Sequence, residues 1–352
     1  LKRLPAKARI VSAQGQVNAV IAATGQTVPA DSGLSLQTGD TLLTGSDGAA
    51  SLEFRDGSRV LLQADSELRM DTLSAYGPTR FADTRIHLQQ GRVESQIKSR
   101  TGAGPRYEIS TPAAASAVRG TRYRIGMDPA AATARTAVLE GTVAFEGHRT
   151  TRTVKRGFGT LAEIGQAPLP PVPLLPPPKL GERPPVVTRW PVQLNFFPLK
   201  GAVAYRAQVV PADPFKALLL DTLLPALKSD DREAADALTL LLKPVGPDLP
   251  DGDYIARIRG IDDKGLVGRD AHNADWQRDL GVVESALADA KCTLGGVTDD
   301  VLRLYRSALR RAEKLSQDDP SNAVWRTDVV LYSMNLARAL VTRPGGRGDA
   351  IV

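Results

Sequence analysis

The sequence has one cysteine, Cys292, and three histidines among its 352 residues. A single thiol excludes an intrachain disulfide and a cysteine-based metal site. The three histidines, His87, His148 and His272, leave little material for a histidine-rich metal cluster or for histidine acid–base chemistry. We therefore expect the protein to use no metal ion and no cofactor.

The sequence also lacks the local motifs of common nucleotide-binding and hydrolytic enzymes. No GxxxxGK[ST], HExxH or GxSxG pattern is present. No run reaches the roughly 18–20 apolar residues needed to cross a bilayer, and no signal peptide is visible. The closest run, residues 217–227, is interrupted by Asp221 and Pro225. These absences predict a chain that is not an enzyme and contains no transmembrane segment.

The formal net charge of +6 is concentrated in the first half of the chain. Residues 98–156 contain eleven basic and four acidic residues. A local positive field of this kind attracts an anionic polymer or an acidic surface. The alternative is a well-solvated face of mixed charge, which is the usual environment of lysine and arginine.

Residues 8–165 have the pattern of an all-β region. Glycine residues and Asp-Gly pairs recur at short spacing, and between them lie short runs in which every second residue is apolar. In one such run, three residues are expected to share the inward face: Ala50, Leu52 and Phe54. Asp56-Gly57 then supplies a tight hairpin turn. Many short strands joined by such turns predict a β-roll or a β-sandwich.

A proline-rich segment follows, at residues 167–187. Nine prolines fall between Pro168 and Pro185. Because proline fixes φ and donates no backbone hydrogen bond, this composition predicts an extended polyproline II linker and a domain boundary. The alternative is a docking site for a proline-binding domain.

Residues 188–271 resemble a second, smaller β domain with a helical insertion. Residues 203–210 and 254–259 alternate between apolar and polar side chains, as strands do. Between them, apolar residues recur at the spacing of a short amphipathic helix, namely Ala234, Ala237, Leu238 and Leu241.

Residues 272–342 have a helical pattern and contain an internal repeat. The segment Asn273–Leu280 returns as Asn322–Val329, offset by 49 residues, and Val301–Leu309 between them predicts a strong helix. A repeated helical unit is typical of a solenoid-type array. One and a half units cannot bury a continuous core alone, so we expect this part to pack against the preceding domain or a partner.

Several segments of the first β region resemble a known domain. They are residues 111–124, which contain Thr-Pro followed by Ala-Val-Arg-Gly-Thr, together with residues 36–40, 54–58 and 91–93. This set is similar to the FecR domain of bacterial envelope proteins, over about residues 8–165. The resemblance implies a periplasmic or cell-envelope location and a role in signal transduction. Reference members of the family pass a surface-receptor signal to a membrane-bound sigma-factor system.

Other members of that family join the FecR domain to a peptidoglycan-binding LysM module and a fibronectin-III-like domain. Residues 201–206, 249–254 and 259–268 resemble the fibronectin-III-like domain, and the helical repeat resembles tetratricopeptide units. The regulators' transmembrane helix and the LysM module have no counterpart in these 352 residues. We therefore predict a mainly β chain with four parts: a FecR-like domain at 1–166, a linker at 167–187, a fibronectin-III-like domain at 188–271 and a tetratricopeptide-like segment at 272–352.

The candidate binding residues lie in the basic stretch: Arg106, Arg119, Gly120, Thr121, Arg122 and Arg124. Arg119-Gly120-Thr121 has two interpretations. It is either a turn whose arginine and backbone donors meet a carboxylate or phosphate of a partner, or a tight β-corner that needs Gly120 for its backbone geometry.

The function that follows is a non-enzymatic envelope module that senses or scaffolds through contacts with an envelope protein. The alternative is binding of peptidoglycan or an anionic cell-wall glycan through residues 98–156. No nucleic-acid partner is expected. An enzyme that acts on the cell wall is disfavoured by the lack of a catalytic motif.

Overall fold

A computed structural model describes most of the chain. The described residues are 3–76, 82–98, 107–118, 120–179, 192–211, 213, 215–225, 238–242, 254–269, 285, 287–318 and 323–342. The chain divides into two compact units, Leu1–Ala271 and His272–Val352, named here the β-rich unit and the helical unit. Among the helices in the described ranges, none is both long and apolar enough to span a membrane.

The first part of the β-rich unit is built from eighteen described strands. They are β1 (Arg3–Pro5), β2 (Ala8–Gln14), β3 (Val17–Ile21), β4 (Gln26–Pro29), β5 (Ser35–Leu36), β6 (Thr41–Thr44), β7 (Ala49–Phe54), β8 (Arg59–Leu62), β9 (Ser66–Tyr76), β10 (Ala82–Gln96), β11 (Tyr107–Ser110), β12 (Ala115–Val118), β13 (Arg122–Asp128), β14 (Thr133–Glu140), β15 (Thr142–Gly147), β16 (Thr150–Lys155), β17 (Phe158–Glu163) and β18 (Val172–Pro173).

These strands pair in two sheets that share β10. The first sheet has the order β4-β3-β6-β9-β10-β11-β12-β15-β16, and β1 also pairs with β9. The second sheet has the order β5-β2-β7-β8-β10-β13-β14-β17-β18. All of these pairings are antiparallel except β10 with β11. One hydrophobic core draws its side chains from both sheets.

Strand β10 passes from one sheet to the other near Gly91. Its register partners lie on β9 up to Gln90 and on β13 from Gly91 onward. Gly91 has φ of 92°. A Cβ atom at this position would lie 2.0 Å from the Ser66 Oγ. Glycine is therefore required here by the backbone conformation and by the close approach of β9.

The predicted hairpin at Asp56-Gly57 joins β7 and β8, with Gly57 at φ of 80°. The three residues expected on its inward face, Ala50, Leu52 and Phe54, are buried in the core. The opposite face is also covered, because Ser51 and Leu61 are fully buried too. A second layer therefore lies over the outer side of this sheet.

That second layer comes from the described residues between 192 and 269. Five strands are described there: β19 (Val192–Phe196), β20 (Ala204–Pro211), β21 (Leu220–Pro225), β22 (Leu238–Leu242) and β23 (Tyr254–Ile261). β19 pairs with β22, and β20 lies between β21 and β23 in a three-stranded sheet. Leu61 packs with Val210, Phe215 and Leu218, so this part is joined to the outer face of the two-sheet region.

The predicted helix at Ala234–Leu241 is wrong where the structure describes it. Leu238 and Leu241 belong to β22, in which Leu241 is the register partner of Gln193. Ala234 and Ala237 lie outside the described residues. The leucine-rich spacing fits a helix and a short strand equally well, and pairing with β19 makes this segment a strand.

The first part of the proline-rich segment pairs and packs with the β-rich unit. Val172–Pro173 pair with β17, and Leu174 packs against Ala137 and Leu266. Arg269 donates its backbone N–H to the Leu175 carbonyl. Residues 172–175 are therefore held against both layers of the β-rich unit.

The helical unit contains three described helices: α1 (residues 287–295), α2 (Asp299–Asp318) and α3 (Ala323–Thr342). Ala288, Leu302 and Ala339 bring one buried residue from each helix into a common cluster. Gly296, at φ of 73°, follows the end of α1. The prediction of a mainly β chain with a helical C-terminal segment is confirmed.

Candidate functional site: a buried glutamate–arginine cluster

Glu94 carries a carboxylate into the interior of the β-rich unit. It lies on β10 between Val93 and Ser95, whose side chains point to the core of the two-sheet region. Successive side chains of a strand point to opposite faces, so Glu94 projects from the outer face. The layer that covers this face leaves the Glu94 side chain only 1% exposed.

Two arginines of the neighbouring strand β13 bind this carboxylate. Arg124 is the register partner of Glu94, and Arg122 lies two residues away on the same face. Arg122 donates from Nη2 to Glu94 Oε1 at 2.7 Å and from Nε to the same oxygen at 3.3 Å. Arg124 donates from Nε to Oε2 at 3.4 Å. Both guanidinium groups are thereby held in place by the sheet's own register.

Two further arginines reach Glu94 from the covering layer. Arg257 Nη1 and Arg259 Nη2, both on β23, each lie 3.7 Å from Glu94 Oε2. Arg259 also donates to Gln208 Oε1 on β20 at 2.7 Å. Alternation along β23 places both arginines on the face opposite Ile258, which packs in the core of the three-stranded sheet. We name Glu94, Arg122, Arg124, Arg257 and Arg259 the Glu94 cluster.

Other contacts between the layers surround the cluster. Arg124 donates from Nη1 to the Gly268 carbonyl at 2.9 Å, and Arg135 donates from Nε to the Lys264 carbonyl at 2.7 Å. The Arg122 Cζ lies 5.8 Å from the centre of the Phe215 ring, within the range of a cation–π interaction. The cluster is therefore the centre of a polar seam between the two-sheet region and β20–β23.

Burial alone would raise the pKa of Glu94, because it penalises the charged form. Arg122, Arg124, Arg257 and Arg259 act in the opposite sense and together hold the pKa of Glu94 well below its usual range. Glu94 is therefore ionised at neutral pH. A buried ion cluster of this kind fixes a specific arrangement, because removal of one partner leaves the other charges buried without their counterpart.

The structure places the predicted binding residues in different environments. Arg122 and Arg124 are buried in the Glu94 cluster. Thr121 is buried and donates from Oγ1 to the Thr142 carbonyl at 3.0 Å. Gly120 has φ of 64°, a backbone conformation that favours glycine. Arg106 and Arg119 lie outside the described residues. Of the two interpretations of this segment, the β-corner fits the geometry of Gly120 and Thr121.

A serine–histidine contact also appears that the sequence does not indicate. The His87 Nδ1 lies 2.9 Å from the Ser110 Oγ, because the two residues are register partners on β10 and β11. The other ring nitrogen, Nε2, lies 3.2 Å from the Gln89 side-chain oxygen. An amide at that position does not stabilise an imidazolium as the carboxylate of a catalytic triad does. We therefore interpret the pair as a cross-strand polar contact.

Sequence reasoning missed Glu94, Arg257 and Arg259. Alternation correctly groups Arg257 and Arg259 on one strand face, but that face is usually solvated. The signal that was available is the unbroken apolar run Val60-Leu61-Leu62, since a strand that is apolar on both faces is covered on both. It indicates a second layer without identifying which residues form it.

Comparison with known proteins gives one family match. A family model described as FecR protein matches residues 40–144. The matched range includes Glu94, Arg122 and Arg124, and it ends before β20 and β23. The resemblance to the FecR domain is confirmed for this range. No curated protein sequence matches the chain.

Two crystal structures of a candidate anti-sigma factor from Parabacteroides distasonis ATCC 8503 also match. Each is 13% identical to the chain, and their TM-scores are 0.31 and 0.32. The matches cover 37% and 38% of this chain, and 57% and 59% of those chains. The chain therefore spans less than two thirds of the length of these structures, and similarity at this level does not define its fold.

Proposed function

We propose that this chain is a non-enzymatic regulatory protein of the bacterial cell envelope that senses or scaffolds through protein–protein contacts of its β-rich unit. The observation that carries the proposal is the match of residues 40–144 to the FecR family. These residues form the centre of both sheets, from the end of the turn before β6 to β15. A FecR-type role in passing signals between envelope proteins is compatible with a chain in which this region packs against a second layer.

The finer assignments belong to the same proposal. They are a periplasmic location, the FecR-like domain at 1–166, the fibronectin-III-like domain at 188–271, the tetratricopeptide-like segment at 272–352 and the linker at 167–187. Residues 172–175 of this linker pack against both layers of the β-rich unit. Partner contacts are assigned to the basic stretch through Arg106 and Arg119. Arg122 and Arg124 act indirectly, because their guanidinium groups bind Glu94 and the Gly268 carbonyl.

The Glu94 cluster supports a scaffolding role. Arginines from β13 and β23 converge on one carboxylate, so the two layers share a charged contact in their interior. A force or ligand that displaced one layer would separate buried charges, which is costly. The layers are thus expected to respond to a partner as one body.

Site-specific photocrosslinking tests the partner assignment. We expect a photoreactive p-benzoylphenylalanine at position 119 to give a discrete protein adduct in bacterial cells that naturally produce this chain. The matched control carries the same group in place of Arg149, an exposed arginine in the turn between β15 and β16. A binding surface at residue 119 gives an adduct there and none at residue 149.

The alternative outcome points to the cell wall. If position 119 gives no protein adduct, and the chain instead sediments with purified sacculi at low salt and is released at high salt, glycan binding replaces protein binding. Charge-driven binding of this kind fades as the Debye length falls to about 3 Å at 1 M salt. Equal adducts at positions 119 and 149 would also contradict a specific surface.

A further inference from the structure

Two adjacent leucines of the proline-rich segment, Leu174 and Leu175, contact both layers of the β-rich unit. The Leu174 side chain is 4% exposed and packs with Ala137 of β14, in the two-sheet region, and with Leu266, in the covering layer. Leu175 is half-buried, and its side chain approaches β23 of the covering layer. A single extended piece of chain therefore places one apolar side chain where the layers meet and the next one against the covering layer.

Glycines line the space around this leucine pair. A Cβ atom on Gly159 of β17 would lie 2.8 Å from Leu174 Cδ2, and one on Gly268 would lie 2.9 Å from the Leu175 carbonyl oxygen. A Cβ atom on Gly260 of β23 would lie 3.2 Å from Leu175 Cδ1. None of the three glycines has a positive φ, so close packing, and not backbone conformation, favours glycine at these positions. We name Gly159, Gly260 and Gly268 the glycine slot.

The backbone of this segment has few donors with which to hold itself in the slot. Prolines occupy positions 173 and 176–178, and proline has no N–H. Beyond the short pairing of β18 with β17, Leu174 donates its N–H to the Gly157 carbonyl at 2.8 Å. The Leu175 carbonyl accepts the Arg269 N–H at 2.9 Å. The segment is therefore held by one backbone bond to each layer and by the burial of its leucines.

The geometry resembles that of a bound peptide more than that of a core strand. Extended proline-rich peptides bind through side chains that enter small pockets, because their backbone offers few hydrogen bonds. Here the pockets are the glycine slot, and the peptide belongs to the same chain. A segment tethered beside its own site has an effective concentration of about millimolar, so it excludes a free peptide present at micromolar concentration.

We propose that the glycine slot is a binding site for an extended proline-rich peptide with two adjacent leucines, which the chain fills in cis with residues 172–179. We name these residues the clasp. It ends at Lys179, whose carbonyl accepts the Phe197 N–H at 2.8 Å. The clasp couples the two-sheet region to the covering layer, and the slot is closed to other peptides while the clasp is seated. The proposal concerns a contact within the β-rich unit, so it holds or fails independently of the partner expected at Arg119.

A fluorescein-labelled peptide with the sequence of residues 168–179 tests the proposal with the full chain. We expect the parent chain to bind it weakly, because its own clasp fills the slot. Leu174→Asp places a carboxylate where Leu174 is buried, so the clasp leaves the slot. Fluorescence anisotropy should then show at least about tenfold tighter binding of the peptide than by the parent chain. A peptide with aspartate at both positions of the leucine pair should not bind.

The matched control is Leu169→Asp, the same change in the same proline-rich segment. The Leu169 side chain is 47% exposed, so this variant should bind the peptide as weakly as the parent chain does. Hydrogen exchange reports the clasp directly through two amides, those of Leu174 and Arg269, since their partners are the Gly157 and Leu175 carbonyls. Both amides should exchange faster in Leu174→Asp and at the parent rate in Leu169→Asp.

Leu174→Ala is the second variant, because it shortens the side chain without burying a charge. We expect a smaller rise in exchange at the same two amides. The proposal is overturned if a folded Leu174→Asp chain does not bind the peptide, or binds the peptide with and without its leucine pair equally. It is also overturned if Leu169→Asp and Leu174→Asp behave alike. Global unfolding of both Leu174 variants would show that residues 172–179 are part of the core and not a clasp.

Discussion

The two units of the chain differ in where they place charged and apolar side chains. In the β-rich unit, the Glu94 and Arg259 side chains are each 1% exposed, although both are charged. In the helical unit, Met334 and Val341 are 64% and 60% exposed, although both are apolar. Each is contrary to the usual distribution of side chains, and each occurs on a regular element whose other face is an ordinary core.

This difference shows which side chains determine specific contacts in each unit. The buried charges of the β-rich unit have partners inside the chain, so they determine how its two layers meet. The exposed apolar residues of the helical unit contribute little to its own folding, because they remain in water in the structure. Substitutions of the buried charges should therefore lower the stability of the first unit, whereas substitutions on the exposed face of α3 should leave the stability of the second nearly unchanged.

The largest expected effect comes from Glu94→Gln, which removes the central charge and nearly preserves its shape. Four arginines then remain buried around a neutral side chain, and we expect the β-rich unit to lose about 3–5 kcal/mol of stability. Hydrogen exchange measured by mass spectrometry should show faster exchange in β10, β13 and β23.

The control for this prediction is Glu53→Gln, the same chemical change on the same sheet. Glu53 binds Arg9 at 2.9 Å, with side chains 31% and 61% exposed, respectively. Pairs at this exposure contribute about 0–1 kcal/mol. Similar losses of stability for the two variants would show that the Glu94 cluster contributes no more to stability than an exposed ion pair.

A second pair of variants addresses the helical unit. Leu302 is fully buried, and Leu302→Ala should cost about 2–5 kcal/mol through lost burial and a residual cavity. Met334→Ala on the exposed face of α3 should change stability by less than about 0.5 kcal/mol. Urea unfolding followed by the helical circular dichroism signal measures both. A comparable loss at Met334 would place it in the core of the unit and remove the contrast.

Sequence reasoning predicted the strands and their inward faces because both depend on local alternation. Ala50, Leu52 and Phe54 lie in the core as expected, and the Asp56-Gly57 turn joins β7 to β8. Alternation predicts which side chains share a face, but it does not predict what covers that face. Arg122, Arg124, Arg257 and Arg259 therefore look like solvent-facing residues in the sequence, although tertiary packing buries all four.

The same limit explains the helix expected at Leu238 and Leu241. A leucine-rich segment satisfies the periodicity of a helix, and only its pairing with β19, more than forty residues earlier, makes it a strand. The FecR resemblance came from local motifs, and it is confirmed over residues 40–144. The Glu94 cluster combines that region with β23 from outside it, so a motif search alone does not find it.

The smallest expected effect is a loss of stability of the helical unit in alkali. Burial and the hydrogen bond to Asp289 raise the pKa of Tyr305 to about 12, from an ordinary value of 10.0. A raised pKa in the folded state stabilises the neutral form, so this contribution is present below pH 10 and is lost as pH approaches 12. The pKa of Glu94 is lowered, so its contribution is present at neutral pH and is lost in acid, below the ordinary glutamate pKa of 4.5.

Acid should therefore weaken the β-rich unit and leave the Tyr305 contact of the helical unit intact, as reported by hydrogen exchange of β10 and of α2. Alkali should weaken both units, because burial also raises the pKa of Tyr107 and Tyr123 in the β-rich unit. Tyr305→Phe should remove the alkaline loss in the helical unit, and Glu94→Gln should remove the acid loss in the β-rich unit. If either variant keeps the corresponding loss, the titrating group in that unit lies elsewhere. An equal loss of protection in both units in acid would instead indicate that general charge repulsion, and not Glu94, controls their stability.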